Sequence, residues 1–576
     1  MRHIRHPRKN PFAMWLVPLC LAAACICAIS ILLSMDRPAP AQRDNLPTAS
    51  PLPATIAGDP TAVPASEEPT ATPEPTPFFT ASASADGSAK PSLVNLRYRR
   101  LSGDTIIDSY RRDTPLYFGA PQQYSSLEGV ITFRGDHFRS GGSYGSAALT
   151  DQQLSVAWRK KIGAIDKWTG VGWNGQPVMV RWSDEQRAQM NLNAEKKGKT
   201  GLIEVIYGTL DGKIYFLDAE DGQPTRDPIN LGYPIKGSVS IDPRGYPLLY
   251  VGQGIPNNGD KRNTIGWRIY SLVDQAELYV QPGLTDLAHR KWGAFDSVCL
   301  VDGAHDTVLL TGENGLIYSI ELNTTLGGEH GISVDPQVTI YRYKSDISER
   351  LGSENSPAAL GPYLFTADNS GLVTCLDTTT MDAVWTQDCA DDIDASLVLD
   401  RESADKAALY VTCQVDHQGV GGLCHMQKLD AMTGKLLWEH TIGCVYSEDV
   451  NGGSLATPLN GRGDMENLII FCPAKTKEGG GRGLLVAYEK DTGNVAWQTP
   501  LDRYCWSSPT AVYTPEGKGY ILLADSSGTL MLIEGTTGTV LTTLALDGNV
   551  EGSPAVFDDM LVVGTRAGSI YGIRLS

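Results

Sequence analysis

From residue 151 onward, apolar and polar positions follow one recurring pattern. An apolar run leads into a Gly-containing turn, a second apolar run follows, and a short polar turn ends the unit. Copies occur at 207–218, 311–320, 367–377, 524–533 and 564–573. The turn glycine can take positive φ, so each copy predicts a β-hairpin. A second marker opens a further apolar run before most hairpins. It is a small or amide residue, often followed by Pro: Gln176, Ser238, Ser297, Ser356, Ser396, Thr457, Ser508 and Ser553. The spacings are 62, 59, 59, 40, 61, 51 and 45 residues. Forty residues hold four short strands with their turns, and the longer intervals imply loop insertions. Eight repeats of this size predict an all-β, eight-bladed β-propeller with four-stranded blades. The eighth repeat leaves room for only three strands before Ser576. Residues 154–162 supply the missing outer strand, so an N-terminal strand closes the ring and no sheet edge stays open.

The N-terminus breaks this pattern. Residues 11–35 form a charge-free apolar run of 25 residues, preceded by Arg2, Arg5, Arg8 and Lys9. The run is long enough to cross ~30 Å of hydrocarbon as one helix. The basic flank predicts a cytoplasmic N-terminus with the rest of the chain outside. A cleaved signal peptide is an alternative reading, and lipid attachment at Cys25 a third. Twelve prolines then fall between Pro38 and Pro91 among Ala, Thr and Ser. Such a stretch buries too little apolar area to offset ordering entropy, and it predicts a disordered, extended stalk. The expected organisation is a basic tail at 1–11, a transmembrane signal-anchor helix at 12–35 and a Pro-rich linker at 36–92. A pre-propeller segment at 93–150 and a propeller at 151–576 complete it.

Within the repeats, residues 429–438 read LDAMTGKLLW and residues 488–497 read YEKDTGNVAW. Residues 376–385 keep the Trp and lose the Gly, whereas 217–222 and 533–538 keep the Gly turn without the Trp. These copies resemble the PQQ-like repeat of quinoprotein-type β-propellers, among them the propeller lipoprotein of the bacterial outer-membrane assembly machine. Residues 133–139, FRGDHFR, resemble the lead-in that precedes many such propellers. The resemblance spans about residues 130–576. It implies that Gly434 and Gly493 make tight turns between third and fourth strands. It also implies that Trp385, Trp438 and Trp497 wedge between neighbouring blades.

Composition narrows the chemistry. Residues 12–576 carry 44 basic against 66 acidic residues, a surface that repels phosphate and argues against nucleic acid as a partner. Many quinone-dependent dehydrogenases of this fold use a pair of adjacent cysteines, and this chain has none. The seven histidines beyond the N-terminus form no H-x-H or H-E-x-x-H spacing. No catalytic residue, cofactor or metal is therefore expected, although Asp391, Asp392 and Asp394 form an acidic group of the kind that can hold Ca²⁺. Cys413 and Cys424 flank a turn-like stretch symmetrically, which predicts a cross-strand disulfide.

The loops before the eight starts should ring the mouth of the central channel. They carry Trp173, Asn174, Lys236, Trp292, Asp296, Glu354, Asn355, Asp392, Asp394, Asn451, Trp506, Asn549 and Glu551. Three tryptophans beside five carboxylates and one lysine suit a cationic peptide segment or a sugar. The expected function is a membrane-anchored, extracytoplasmic, non-catalytic binding or scaffold module for an envelope or cell-surface protein. The alternatives are an extracytoplasmic ligand or polysaccharide sensor and, third, a quinone-dependent dehydrogenase.

Overall fold

The computed structural model describes residues 77–172, 175–255, 264–347, 350–447 and 450–576. Eight antiparallel sheets follow one another along the chain, each contributing a four-stranded blade. The first seven begin at Val178, Ser240, Leu300, Ala358, Val398, Leu459 and Thr510. The eighth is built from Ala555–Phe557, Met560–Thr565 and Ser569–Leu575, and its outer strand is Leu154–Lys161. Tyr571 pairs with Arg159 and Leu575 with Leu154, so the N-terminal strand closes the ring as expected.

The tryptophans explain how one blade fixes the next. Trp385 lies over the Gly434 turn of the following blade, Trp438 over Gly493, Trp497 over Gly538 and Trp158 over Gly222. Each indole N–H donates to a carbonyl of that turn: Ala431 at 3.0 Å, Lys490 at 3.1 Å, Gly535 at 3.2 Å and Ala219 at 2.7 Å. The four glycines have φ between 67° and 72°, a conformation that disfavours any Cβ. In all four blades the third and fourth strands slip register directly beside the Trp, as between Lys428–Trp438 and Leu429–Leu436. The extra residue is a β-bulge, which raises the local twist and turns the indole toward the neighbouring blade.

The segment before the propeller is also ordered. Arg97–Ser102 pairs with Gln337–Lys344 and covers the outer edge of the third blade. Residues 77–92, assigned to the linker on composition, pack between the fourth and fifth blades. Phe79 is 6% exposed and Ala89 is fully buried beside Trp385. Ser84 and Asp86 donate backbone N–H groups to Met432 and Thr433, each at 2.9 Å. Among the described residues no helix is long and apolar enough to cross a membrane. The predicted span at 12–35 and most of the predicted stalk lie outside the described residues.

The predicted Cys413–Cys424 disulfide is corrected: both are buried free thiols. Thr412 pairs with Met426, and the Cys413 N–H donates to the His425 carbonyl, so Cys413 faces His425 across the hairpin. Cys424 is the neighbour of His425 and points to the other face of the sheet. The two sulfurs accordingly sit in different cores, one with Trp385 and Leu397, the other with Phe471 and Tyr488.

A Cβ at Gly538 would lie 2.4 Å from the Trp497 ring, at a φ of 71°. Gly538→Ala should therefore cost roughly 2–4 kcal/mol from backbone strain and overpacking together. Adding Trp497→Leu should recover part of that loss, because the clash is with the indole. Urea unfolding of the two single variants and the double variant measures this coupling.

Candidate functional site

The site begins with the residues that open the innermost strands. These strands converge on one axis, where only small side chains fit and every buried amide needs a partner. Gln176 N–H donates to Ser238 Oγ (2.8 Å), Val298 N–H to Ser356 Oγ (3.0 Å) and Ser356 N–H to Ser396 Oγ (2.8 Å). Ser396 N–H continues to Thr457 Oγ1 (3.1 Å), Thr457 N–H to Ser508 Oγ (3.0 Å) and Ser508 N–H to Ser553 Oγ (3.2 Å). Ser553 N–H reaches the Gly175 carbonyl at 3.0 Å and links the last blade to the first. Six of the eight repeat markers read from the sequence are thus hydroxyl groups that join one blade to the next.

Residues 128–144 close the far end of that channel. Glu128–Val130 pairs with the innermost strand of blade 1, and Ser143–Tyr144 with that of blade 8. Between them, Arg134 and Arg139 are fully buried. Arg134 donates to the Pro509 (2.7 Å) and Pro458 (3.4 Å) carbonyls, and Arg139 to those of Pro357 (2.9 Å) and Val298 (2.8 Å). Burial lowers both guanidinium pKa values to about 10, which leaves them charged at neutral pH. The arginine-bearing segment therefore packs against the ends of the innermost strands and covers that end of the channel.

The open end is acidic. Among the described residues, Asp296, Glu313 and Glu354 bring one carboxylate oxygen each within 4.8 Å of one another. The buried Lys236 ammonium pairs with Asp296 and lies 3.5 Å from Glu354 Oε2. Asp394 Oδ2 accepts from Gln414 Nε2 at 2.7 Å, and Glu354 Oε1 from Asn369 Nδ2 at 3.2 Å. Burial disfavours the Lys236 charge, but Asp296, Glu354 and Glu313 together hold its pKa well above the ordinary lysine value. Burial raises Asp296 to about 6, against the pull of Lys236. Burial, then Glu354 and Asp296, push Glu313 well above the carboxylate range. Burial and Glu354 do the same to Asp394.

The other predicted mouth residues divide. Trp173 and Asn174 lie outside the described residues. Trp292 and Trp506 are half-buried, and each indole nitrogen is buried without a hydrogen-bond partner. Arg290 lies over the Trp292 ring, 5.8 Å from its centroid. Asn355 is structural: its Nδ2 bridges the Ala367 and Ile393 carbonyls at 3.0 and 2.7 Å. Asn549 and Arg566 hold Glu551 at 2.9 and 3.2 Å, and Asn451 holds Asp416 at 2.9 Å. Glu313, Asn369, Gln414, Asp416 and His417 belong to the same face but were absent from the sequence prediction. They come from loops between second and third strands, which reach the mouth beside the entry loops. Polar residues in the hairpin turns, such as Gly312-Glu-Asn-Gly315, are the signal that marks them.

A family model described as outer membrane protein assembly factor BamB matches residues 334–458 and 479–575. Among solved structures, BamB from Moraxella catarrhalis is similar at a TM-score of 0.43 and 15% identity, covering 73% of this chain and 98% of that chain. Quinohemoprotein alcohol dehydrogenase from Comamonas testosteroni gives 0.39 and 12%, covering 78% and 80%. The computationally designed Ika8 protein gives 0.42 and 13%, covering 64% and 93%. No curated protein matches the chain significantly. The strand order shows an eight-bladed β-propeller, and the two stretches that the family model matches fall on its blades.

The raised carboxyl pKa values set a sign. Glu313 titrates above its unfolded value, so its favourable contribution is complete below about pH 4 and fades as pH rises through its folded pKa. Asp296, Glu354, Lys236 and Arg290 face it. Glu313→Gln should therefore be more stable relative to wild type at pH 8 than at pH 5. Denaturant unfolding of both proteins at the two pH values tests this, and a flat difference would count against it.

Proposed function

We propose that the chain is a non-catalytic binding module whose mouth receives a cationic segment of an envelope or cell-surface protein. The observation that carries this reading is the charge count inside the mouth. Asp296, Glu313, Glu354, Asp392 and Asp394 share it with Lys236. A buried, acid-rich mouth gains from an added positive charge, because an entering ammonium or guanidinium lets the carboxyl groups ionise against a partner. Trp292 and Trp506 at the rim add aromatic faces that attract cations. The match to a model named for an assembly factor supports a role in protein binding. A second reading, recognition of a sugar, draws on the two half-buried tryptophans, whose ring faces suit stacking.

The proposal includes an N-terminal membrane anchor with the propeller outside, supported by the basic flank and apolar run of residues 2–35. Protease added to intact cells should then remove the propeller. A propeller that stays protected until the cells are broken would refute that topology.

The mouth itself is tested by capture from envelope extracts with full-length protein. Partners should bind in a salt-sensitive way, and Glu354→Gln with Asp394→Asn should weaken them about tenfold or more. Trp292→Ala with Trp506→Ala should weaken them further. If folded versions of both pairs retain every partner, the mouth is not the site, and the blade edges replace it.

A further inference from the structure

Asp391, Asp392 and Asp394 read in sequence as one acidic group, but the structure gives each a separate task. The Asp391 carboxylate accepts the backbone N–H groups of Asp416 (3.0 Å), His417 (2.8 Å) and Gln418 (3.2 Å). It thereby pins the loop between the second and third strands of blade 5 onto the loop that enters that blade. Asp394 is taken by Gln414. Asp392 is left over. It is 7% exposed, and its Oδ1 is buried with no hydrogen-bond partner. One oxygen of Asp392, one of Asp416 and one ring nitrogen of His417 lie within 4.8 Å of one another.

The histidine is oriented for ligation. His417 Nε2 lies 2.7 Å from the Asn369 carbonyl. A carbonyl only accepts, so Nε2 carries a proton, and in the neutral ring Nδ1 is then the nitrogen with the lone pair, 3.3 Å from Asp416 Oδ2. A carbonyl on the far ring nitrogen is the contact that fixes tautomer and ring plane in metal-binding histidines. Asn451 Nδ2 holds the other Asp416 oxygen at 2.9 Å. The Arg350 side chain also reaches Asp416, at 3.0 Å, but it is 64% exposed, and a surface pair of this kind is easily displaced.

We infer that Asp392, Asp416 and His417 form a divalent transition-metal site at the rim of the mouth. One imidazole and two carboxylates suit Zn²⁺ or a neighbouring first-row ion, whereas Ca²⁺ takes oxygen ligands and more of them. Two carboxylates balance the charge of the ion. Three protein ligands leave a coordination position for water or for a side chain of whatever occupies the mouth.

Calorimetric titration of chelator-treated full-length protein with Zn²⁺ tests the site, with Co²⁺ absorption as a readout of ligand geometry. One Zn²⁺ should bind per chain, and Ca²⁺ should bind at least about tenfold more weakly. His417→Ala, which removes a ring that is 26% exposed, should weaken Zn²⁺ about tenfold or more and change the Co²⁺ spectrum; Asp392→Asn should do the same. Absence of Zn²⁺ binding, or binding that both substitutions leave intact, overturns the inference. Binding lost in Glu313→Gln but kept in His417→Ala places the ion among the channel carboxylates and overturns it equally.

Discussion

A short side chain at the start of an innermost strand, accepting the amide of the blade before it, is the contact on which the propeller rests. The strands converge there, so a larger residue would push neighbouring blades apart. The amides are buried, so an apolar residue of the same size would leave a donor unpaired. Serine or threonine meets both demands at six of these positions. The proline that often follows has no N–H to satisfy, and its carbonyl stays available on the channel side. Pro357, Pro458 and Pro509 offer such carbonyls to Arg139 and Arg134. Ring closure and the covering of one channel end are thus consequences of the same few residues.

That cover gives the channel two unlike ends. At the closed end, two charged guanidinium groups are held by backbone carbonyls. At the open end, carboxyl groups outnumber the lysine that sits among them. Burial and mutual repulsion hold Glu313 and Asp394 toward their neutral forms. On the binding reading proposed above, a cation entering the mouth would displace those protons. Asp391 anchors the backbone of the rim loop, whereas Asp392 is electrostatically tied to Asp394 and Glu354 of the Lys236 cluster.

Much of the fold was legible because local sequence carries it. The period of the apolar runs placed the strands, and the marker residues placed the innermost ones. The LDAMTGKLLW copy placed both a turn glycine and the indole that packs on a neighbouring turn. Residues 77–92 were misread because Pro, Ala and Ser predict no order on their own. Their burial comes from a groove between blades that exists only after the ring has formed. Cys413 and Cys424 were paired on their symmetric spacing, yet a hairpin's facing residues are set by register, and register places them on opposite faces.

The sequence by itself determined the number of blades, the closing strand, the Trp–Gly wedges and the acidic character of the entry loops. All of these follow from short-range pattern and from the side chains that strand geometry demands. Only the tertiary structure decided which loops meet. It brought Glu313, Asp416 and His417 up beside the entry loops and drove Arg134 and Arg139 into the channel. It also made Asp391 a backbone anchor, gave one Asp394 oxygen to Gln414 and left Asp392 Oδ1 buried without a partner. Those outcomes depend on contacts between residues tens to hundreds of positions apart, and ring closure fixes those distances while strand period does not.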